Sequence, residues 1–364
     1  MKKPTLLIYG MAALSLLVLP ALFPVPKRDA ERLRLVTSMA VKGTGTVTMA
    51  VSSQEVGDAL PGLQLTAAGD SFSTAEDALR RSAGAEELYF AHLQYLLCSE
   101  NTARASLTPL FDYAQRSSQM RLTIPLYIVR DDAAALIDRT GEKGQEITAA
   151  LTSLAESAEA PDPGVLETVR SLSLRGSALV SALSAEEADD LLPTADKGVL
   201  LPKRAGYAVV KGDALLNFLP EEAELGAELL TGRAKGRELT LPCGATVKLT
   251  ETEVTHRFRE GDEVLLTMEL RAGAALSGEE GETDRERAEE ELFSALSDTL
   301  TAAADFITRE EADFPGLYAD FRRRCPESLR TREDFLAALR PEVTGEAKIT
   351  FSYDTDTGED DHEG

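Results

Sequence analysis

The stretch Leu88–Val129, LYFAHLQYLLCSENTARASLTPLFDYAQRSSQMRLTIPLYIV, decides the fold class. Leu88–Cys98 is apolar and could by length be strand or helix; Tyr89, Phe90 and Tyr95 favour a buried strand. Asn101–Gln115 follows with Ala105, Leu107, Leu110, Phe111 and Ala114 on one side, the spacing of an amphipathic helix. Leu122–Val129 reads as a second strand, and Pro125 pushes it toward a sheet edge or bulge because proline cannot donate to the ladder. Asp131 then caps a helix holding Ala134, Leu136 and Ile137. Strand, helix, strand, helix in that order implies an α/β layer in the first half.

Upstream, residues 35–51 alternate around Val36, Met39, Val41, Val47, Met49 and Val51 with Gly43-Thr44-Gly45 between, the pattern of a β-hairpin. Ser73 or Thr74 caps a helix running to Arg81, with Asp77 in the place of a capping-box glutamate. Downstream, helices are expected at Glu146–Ser157 and Gly164–Leu183, separated by Pro161 and Pro163. Short strands follow at Gly198–Leu201, Tyr207–Val210 and Ala214–Phe218, the last two joined by a turn at Lys211-Gly212-Asp213. A helix at Glu221–Leu230 precedes strands at Glu238–Leu241, Ala245–Phe258 and Glu263–Ala272, with Arg259-Glu260-Gly261-Asp262 as a hairpin turn. A long helix from about Asp284 to Glu310 carries Leu292, Leu296, Leu300, Ala303 and Ile307 as one stripe. Ala347–Tyr353 closes the chain as a strand.

The expected architecture is therefore mixed, α/β then α+β, with sheets and packed helices in three domains. The boundaries are 1–27 for a signal or membrane anchor, 28–190 for an α/β region and 191–240 for a small β-rich middle domain. Residues 241–354 then form an α+β domain whose long helix lies against an antiparallel sheet, and 355–364 an acidic tail. The 364-residue length suits such a division.

Composition narrows the function classes. The chain has 62 acidic and 38 basic residues, a formal net charge of -24. That excess argues against a nucleic-acid binder, which needs a basic face to displace phosphate counterions. Ser277–Glu291 holds eight acids against two bases and Asp354–Gly364 six acids and no base, so these two solvated stretches supply half of the net charge. Neither contains a calcium-loop pattern. Cys98, Cys243 and Cys325 fit no metal or redox spacing, and all three read as structural or incidental.

The N-terminus carries Lys2 and Lys3 and then eighteen uncharged residues, Leu6–Phe23. Leu6, Leu7, Ile8, Leu14, Leu16, Leu17, Val18 and Leu19 are the apolar positions of an export signal or short membrane anchor. No small-residue cleavage site is easily placed after Phe23, so an uncleaved anchor is expected, with the rest of the chain on the extracytoplasmic face. Contact with an anionic bilayer must come from this segment, since the acidic remainder would be repelled.

Catalytic signatures fail in turn. There is no G-x-S-x-G, H-E-x-x-H or phosphate-binding G-x-x-x-x-G-K-[ST]. Gly43-Thr44-Gly45 lacks the third glycine of a dinucleotide loop. His256 reads as a surface or interface imidazole, and His362 falls in the acidic tail. His92 and Glu100 could form an acid–base pair, but on one strand they would stand about 26 Å apart at ~3.3 Å per residue. No nucleophile accompanies them. The sequence implies no enzyme, no cofactor, no metal and no evident small-molecule pocket.

Gly69-Asp70, Ala78-Leu79, Leu88-Tyr89-Phe90-Ala91-His92-Leu93, Glu100, Ala103, Leu110, Tyr113, Arg116 and Arg121 together form a pattern that resembles the Ger(x)C family, the C subunits of bacterial spore germinant receptors. Gly206–Asp213 with Leu216 is similar to the start of that family's C-terminal region, and Ala303–Phe306, Phe314 and Phe321-Arg322-Arg323 to its helix pair. The similarity spans roughly Arg28 to Gly358. It implies a non-enzymatic receptor subunit on the outer face of the spore inner membrane, assembled with integral-membrane germinant receptor subunits. It also marks His92, Glu100, Tyr113 and Arg116 as structural or interaction positions. Two departures stand out: the lipidated Cys and the Trp-Asp that usually open the mature chain have no counterpart beside Arg28–Leu33, and Ser99 replaces a glycine before Glu100. Holding the membrane would then fall to Leu6–Phe23. An extracytoplasmic solute-binding protein is the alternative reading.

Overall fold

Strands β1 (Leu33–Lys42), β2 (Val47–Ser53) and β3 (Leu63–Gly69) form an antiparallel meander that opens the larger of two sheets. The computed structural model describes residues 32–53, 62–140, 145–157, 161–187, 199–276 and 285–350. The expected anchor and acidic tail lie outside them, as does the acidic stretch Ser277–Glu291 up to residue 284, and no helix among the described residues is long and apolar enough to cross a membrane.

Beyond β1 the sheet turns parallel. Helix α1 (Phe72–Ser82) leads to β4 (Glu87–Tyr89), a short 3-10 turn at Phe90–His92, and β5 (Tyr95–Ser99). Helices α2 (Glu100–Ala105) and α3 (Thr108–Arg116) precede β6 (Leu126–Val129). Three helices, α4 (Ala133–Arg139), α5 (Gln145–Glu156) and α6 (Val165–Arg175), precede β7 (Ser177–Glu187). The sheet closes antiparallel with β8 (Leu200–Lys211) and β9 (Ala214–Phe218), in the order β3-β2-β1-β5-β6-β7-β8-β9, with β4 paired to β1. Each parallel step needs a crossover, and the helices supply it.

Both faces of this sheet are covered. Met39, Leu96, Cys98, Leu126 and Ile128 point to the face packed by α1 and α3. Ala40, Leu97, Tyr127 and Val129 point to the face packed by α4 and α5. Every residue of β5 and β6 is buried, as parallel strands between two helical layers must be.

The second unit is built from α7 (Glu221–Thr231), β10 (Glu238–Thr240), β11 (Thr246–Glu260), β12 (Val264–Leu276), α8 (Arg285–Glu310), α9 (Leu317–Arg324), α10 (Arg332–Ala338) and β13 (Leu339–Thr350). Its sheet runs β10-β11-β12-β13. Val264, Leu266, Met268 and Leu270 alternate into a core with Leu292, Leu296, Leu300 and Ile307 of α8, so the long-helix stripe packs as the spacing predicts. Gly226 lets α7 lie close on α8: a Cβ there would stand 1.9 Å from the Thr299 carbonyl oxygen. The same core takes Leu179 of β7 and Tyr207 and Val209 of β8. The two sheets are thus joined by shared apolar packing as well as by the chain. Arginines fasten the joint: Arg175 Nη1 donates to the Phe314 carbonyl at 2.8 Å and Arg332 Nη2 to the Leu174 carbonyl at 2.9 Å.

Several expectations are corrected. Residues 191–240 have no sheet of their own among the described residues, because β8 pairs with β7 and places β8 and β9 in the first sheet. The separate strands expected at 198–201 and 207–210 are one strand, β8. Gly164–Leu183 is not one helix: α6 stops at Arg175, Gly176 takes a left-handed φ of 74°, and β7 begins. The terminal sheet is not purely antiparallel, since β13 runs parallel to β12 along its length. The crossover through α8, α9 and α10 makes that direction available. Leu88–Cys98 breaks at the 3-10 turn, and Asn101–Gln115 splits at Ser106 into α2 and α3. Caps move by a few residues. Ser71, not Ser73 or Thr74, caps α1, with Thr74 completing the box, and Asp132, not Asp131, caps α4 through Oδ1 on the amides of Ala134 and Ala135.

A buried polar knot ties three strands to the loop before α6. Asp162 accepts from Tyr127 Oη of β6 at 2.6 Å, from Ser181 Oγ of β7 at 2.5 Å, and from both Nη atoms of Arg204 of β8 at 2.9 and 3.0 Å. Burial works to raise the Asp162 carboxyl, but the bonds from Arg204, Ser181 and Tyr127 outweigh it and hold the group below the ordinary carboxylate range.

Candidate functional site

Tyr113 and Arg116 lie on one turn of α3 and line the same cleft, of about 490 Å³, between α1 and α3. The helical register explains the pairing: residues three apart share a face. Tyr113 is buried, its ring stacked on Phe72 of α1 at 5.5 Å between centroids. Its hydroxyl donates to Glu76 Oε2 at 2.7 Å. Burial first, and then the Glu76 carboxylate, push the phenol well above its usual range, which keeps it a donor. Arg116 is exposed at the cleft's lip, 3.6 Å from Asp112.

Glu76 is the centre of this arrangement. Its Oε1 accepts from Arg80 Nε at 2.8 Å and Nη2 at 2.5 Å. Arg80 then donates through Nη1 to the Leu88 carbonyl at 3.0 Å and lies over the Phe90 ring at 5.2 Å from its centroid. The Phe90 amide donates to Gln119 Oε1 at 3.2 Å. A polar chain therefore runs from α3 through α1 to β4, with Arg80 also over the Phe90 ring of the 3-10 turn, along the segment whose pattern carries the family resemblance. Glu76, Arg80 and Gln119 were not singled out from the sequence; the i,i+4 order of Glu76 before Arg80 was the available signal.

The other two marked positions stand elsewhere. His92 ends the 3-10 turn, exposed, its ring tilted against Tyr89 at 5.9 Å. Glu100 opens α2 and pairs with Arg104 Nε at 2.7 Å, while Arg104 reaches the Leu216 carbonyl of β9 at 3.3 Å. Each is thus engaged with its own neighbours, and neither lines the α1–α3 cleft. The eight anchor positions, Leu6, Leu7, Ile8, Leu14, Leu16, Leu17, Val18 and Leu19, lie outside the described residues.

Of the two readings of His256, surface or interface, the structure favours the second. His256 is half-buried, with Nδ1 3.0 Å from Asp320 Oδ2 on α9 and its ring tilted against Phe258. Cys98 is buried in β5 and its thiol is pushed up to about 12 by that burial. Among the described residues, no group of three or more His, Cys, Asp or Glu side chains could hold a metal ion. What the α1–α3 cleft offers is a polar, shape-defined surface with a fixed tyrosine donor and, at its edge, an exposed arginine loosely paired with Asp112.

Residues 27–177 match the family model described as the spore germination protein N-terminal domain. Among solved structures, the crystal structure of the GerBC protein is similar to this chain with a TM-score of 0.51 and 14% sequence identity. That likeness covers 85% of this chain and 96% of that one, and at such identity it speaks for a shared fold. No curated protein matches the sequence.

Proposed function

Starting from its place in the Ger(x)C family, whose setting is spore germination, we propose that this chain is a non-enzymatic, membrane-tethered subunit of a nutrient germinant receptor. The observation that carries the reading is the match of residues 27–177 to the spore germination N-terminal domain, over the region where Tyr113, Glu76 and Arg80 knit α1, α3 and the 3-10 turn together. In this reading the folded units stand on the extracytoplasmic side of the spore inner membrane, tethered by Leu6–Phe23. They present surfaces, the α1–α3 cleft among them, to integral-membrane receptor subunits. A rigid surface built on two helices and a covered sheet suits recognition of a protein partner, because little ordering entropy is lost on docking.

The test is genetic. Spores lacking the gene should lose the response to at least one nutrient germinant, and the full chain should restore it while a version lacking residues 1–27 should not. Normal germination with every nutrient, in a strain without a close paralogue, would overturn the reading.

A further inference from the structure

Within a chain of net charge -24, one cleft gathers five basic side chains: Arg204, Arg233, Lys235, Arg237 and Lys248. It lies where β8, the end of α7, the α7–β10 connection and β11 meet, at the joint between the two sheets, and encloses about 450 Å³. Only Glu228 and Glu238 oppose these cations in its lining. The volume suits a small solute rather than a polymer.

The floor of the cleft is built rather than incidental. Arg204 is fixed by its double bond to Asp162 in the buried knot. Tyr207 Oη donates to Glu228 Oε1 at 2.9 Å. Glu228 is 6% exposed, and its Oε2, 3.0 Å from Arg237 Nε, lacks the alignment of a hydrogen bond and has no other partner among the described residues. Arg233 Nη2 holds Glu167 Oε1 at 2.5 Å, which leaves the rest of that guanidinium's donors available. Lys235 is exposed and has no ion-pair partner among the described residues.

We propose that this cleft is a binding site for a small solute bearing a phosphate or carboxylate group, and that its occupancy braces the joint between the two sheets. Arg233, Lys235 and Arg237 would hold the oxyanion by charge-assisted hydrogen bonds. Burial raises the Glu228 carboxyl, which makes Oε2 easier to protonate than an exposed carboxylate, and a protonated Oε2 would donate to an anion instead of repelling it. Arg237 and Lys235 sit on the α7–β10 connection and Arg204 on β8, so one bound anion would draw both units together. The exposed large apolar residues Leu166, Leu174 and Leu329 are absent from the lining, which favours a free solute over the headgroup of a lipid whose chains need cover. The site goes beyond the receptor-subunit reading and stands whether or not that reading holds.

The test uses the full chain in detergent, titrated with inorganic phosphate and with succinate at constant ionic strength and followed by thermal unfolding and amide NMR shifts. Expected is saturable binding by at least one probe, with shifts centred on residues 233–237 and a rise in Tm as mass action requires. Lys235→Glu should weaken the apparent affinity about tenfold or more, equivalent to about 1.4 kcal/mol, with the circular dichroism spectrum unchanged. Lys348→Glu, on β13 and outside the cleft, should leave the affinity as it was. Arg237→Gln gives a second, charge-neutralising check. No saturable shift with either probe, or equal responses in the wild type and Lys235→Glu, would overturn the proposal. So would binding that appears only with vesicles containing phosphatidylglycerol and is lost in Lys235→Glu, since the ligand would then be a lipid headgroup.

Discussion

The centre of the first sheet and the body of the second solve the same problem with opposite signatures. In β5 and β6 every residue is buried, because helices cover both faces. In β12 the odd and even positions part company: Val264, Leu266, Met268 and Leu270 are buried while Leu265, Thr267 and Glu269 are only partly covered. The first arrangement leaves no solvent face on which to place an error or a charge. The second leaves one, and the charges Glu253, Arg257, Glu269 and Arg271 are found along it on β11 and β12. The buried polar side chains of the first sheet stand mostly in specific bonds, as in the Asp162 knot, although Ser177 Oγ on β7 has no partner among the described residues; polar side chains along the open face of the second reach solvent, some of them in surface ion pairs.

The knot offers the largest effect with which to break that contrast. Asp162→Ala strands the Arg204 guanidinium and the hydroxyls of Tyr127 and Ser181, and should cost about 3–5 kcal/mol in urea unfolding, the range for breaking a buried pair from one side. A loss below ~1 kcal/mol would mean that water replaces the carboxylate and that the knot is not what holds β6, β7 and β8 to the loop.

Adjacent-residue truncation sharpens the contrast further. Leu96→Ala and Leu97→Ala face opposite helical layers and should each cost about 2–5 kcal/mol, so neighbours in β5 are equally sensitive. In β12, Leu266→Ala should cost as much, but Thr267→Ala should stay within about 0.5 kcal/mol. An alternating pattern in β5 would show that one of its helical layers is loosely packed.

Next in size is a pH effect confined to the second unit. Asp313, in the turn between α8 and α9, accepts from the amides of Gly316, Leu317 and Tyr318, yet burial raises its carboxyl to about 6 from an ordinary 3.8. The folded chain therefore binds the proton more tightly than the unfolded one, and stability from this group falls as pH rises from about 4 to about 6. The drop should be on the order of 1–3 kcal/mol, and Asp313→Asn should flatten it. Asp162 acts with the opposite sign and lower on the scale: its contribution is present above its unfolded value of 3.8 and is lost as pH falls below that. A slope between pH 4 and 6 that survives Asp313→Asn would reassign it to another group. Smallest of all, Glu269→Ala removes the exposed bridges to Arg257 and Arg271 and should change stability by less than about 1 kcal/mol.

The same difference explains what the sequence could show. Strands β11 and β12, the hairpin turn between them and the α8 stripe were legible because a solvent face imposes a period. Ser177–Leu183 reads as the end of a helix because SALVSAL, buried throughout, has no period to read, and small residues suit either structure. Apolarity alone does not divide Leu88–Cys98 into three elements; the 3-10 turn is met from outside by Arg80 of α1, over the Phe90 ring, and by Gln119 in the turn after α3, which accepts from the Phe90 amide. The direction of β13 and the membership of β8 in the first sheet are matters of long-range pairing, on which local pattern is silent. For the site, Tyr113 and Arg116 come from the family pattern, and the expected helix, ending at Gln115, stops one residue short of the turn of α3 that sets them side by side. Glu76 was invisible, because its role arises only when α1 meets α3. The cationic cleft was hidden for a like reason: its five bases are scattered from 204 to 248 and masked by a strongly acidic total.

Co-purification of the full chain from spore inner membranes, after mild crosslinking, tests the receptor-subunit account most directly. The account predicts that integral-membrane germinant receptor subunits come with it in fixed ratio, and that Arg116→Glu, at the lip of the α1–α3 cleft, reduces their yield without unfolding the chain. Recovery of the chain alone from membranes in which those subunits are present and detectable would contradict it.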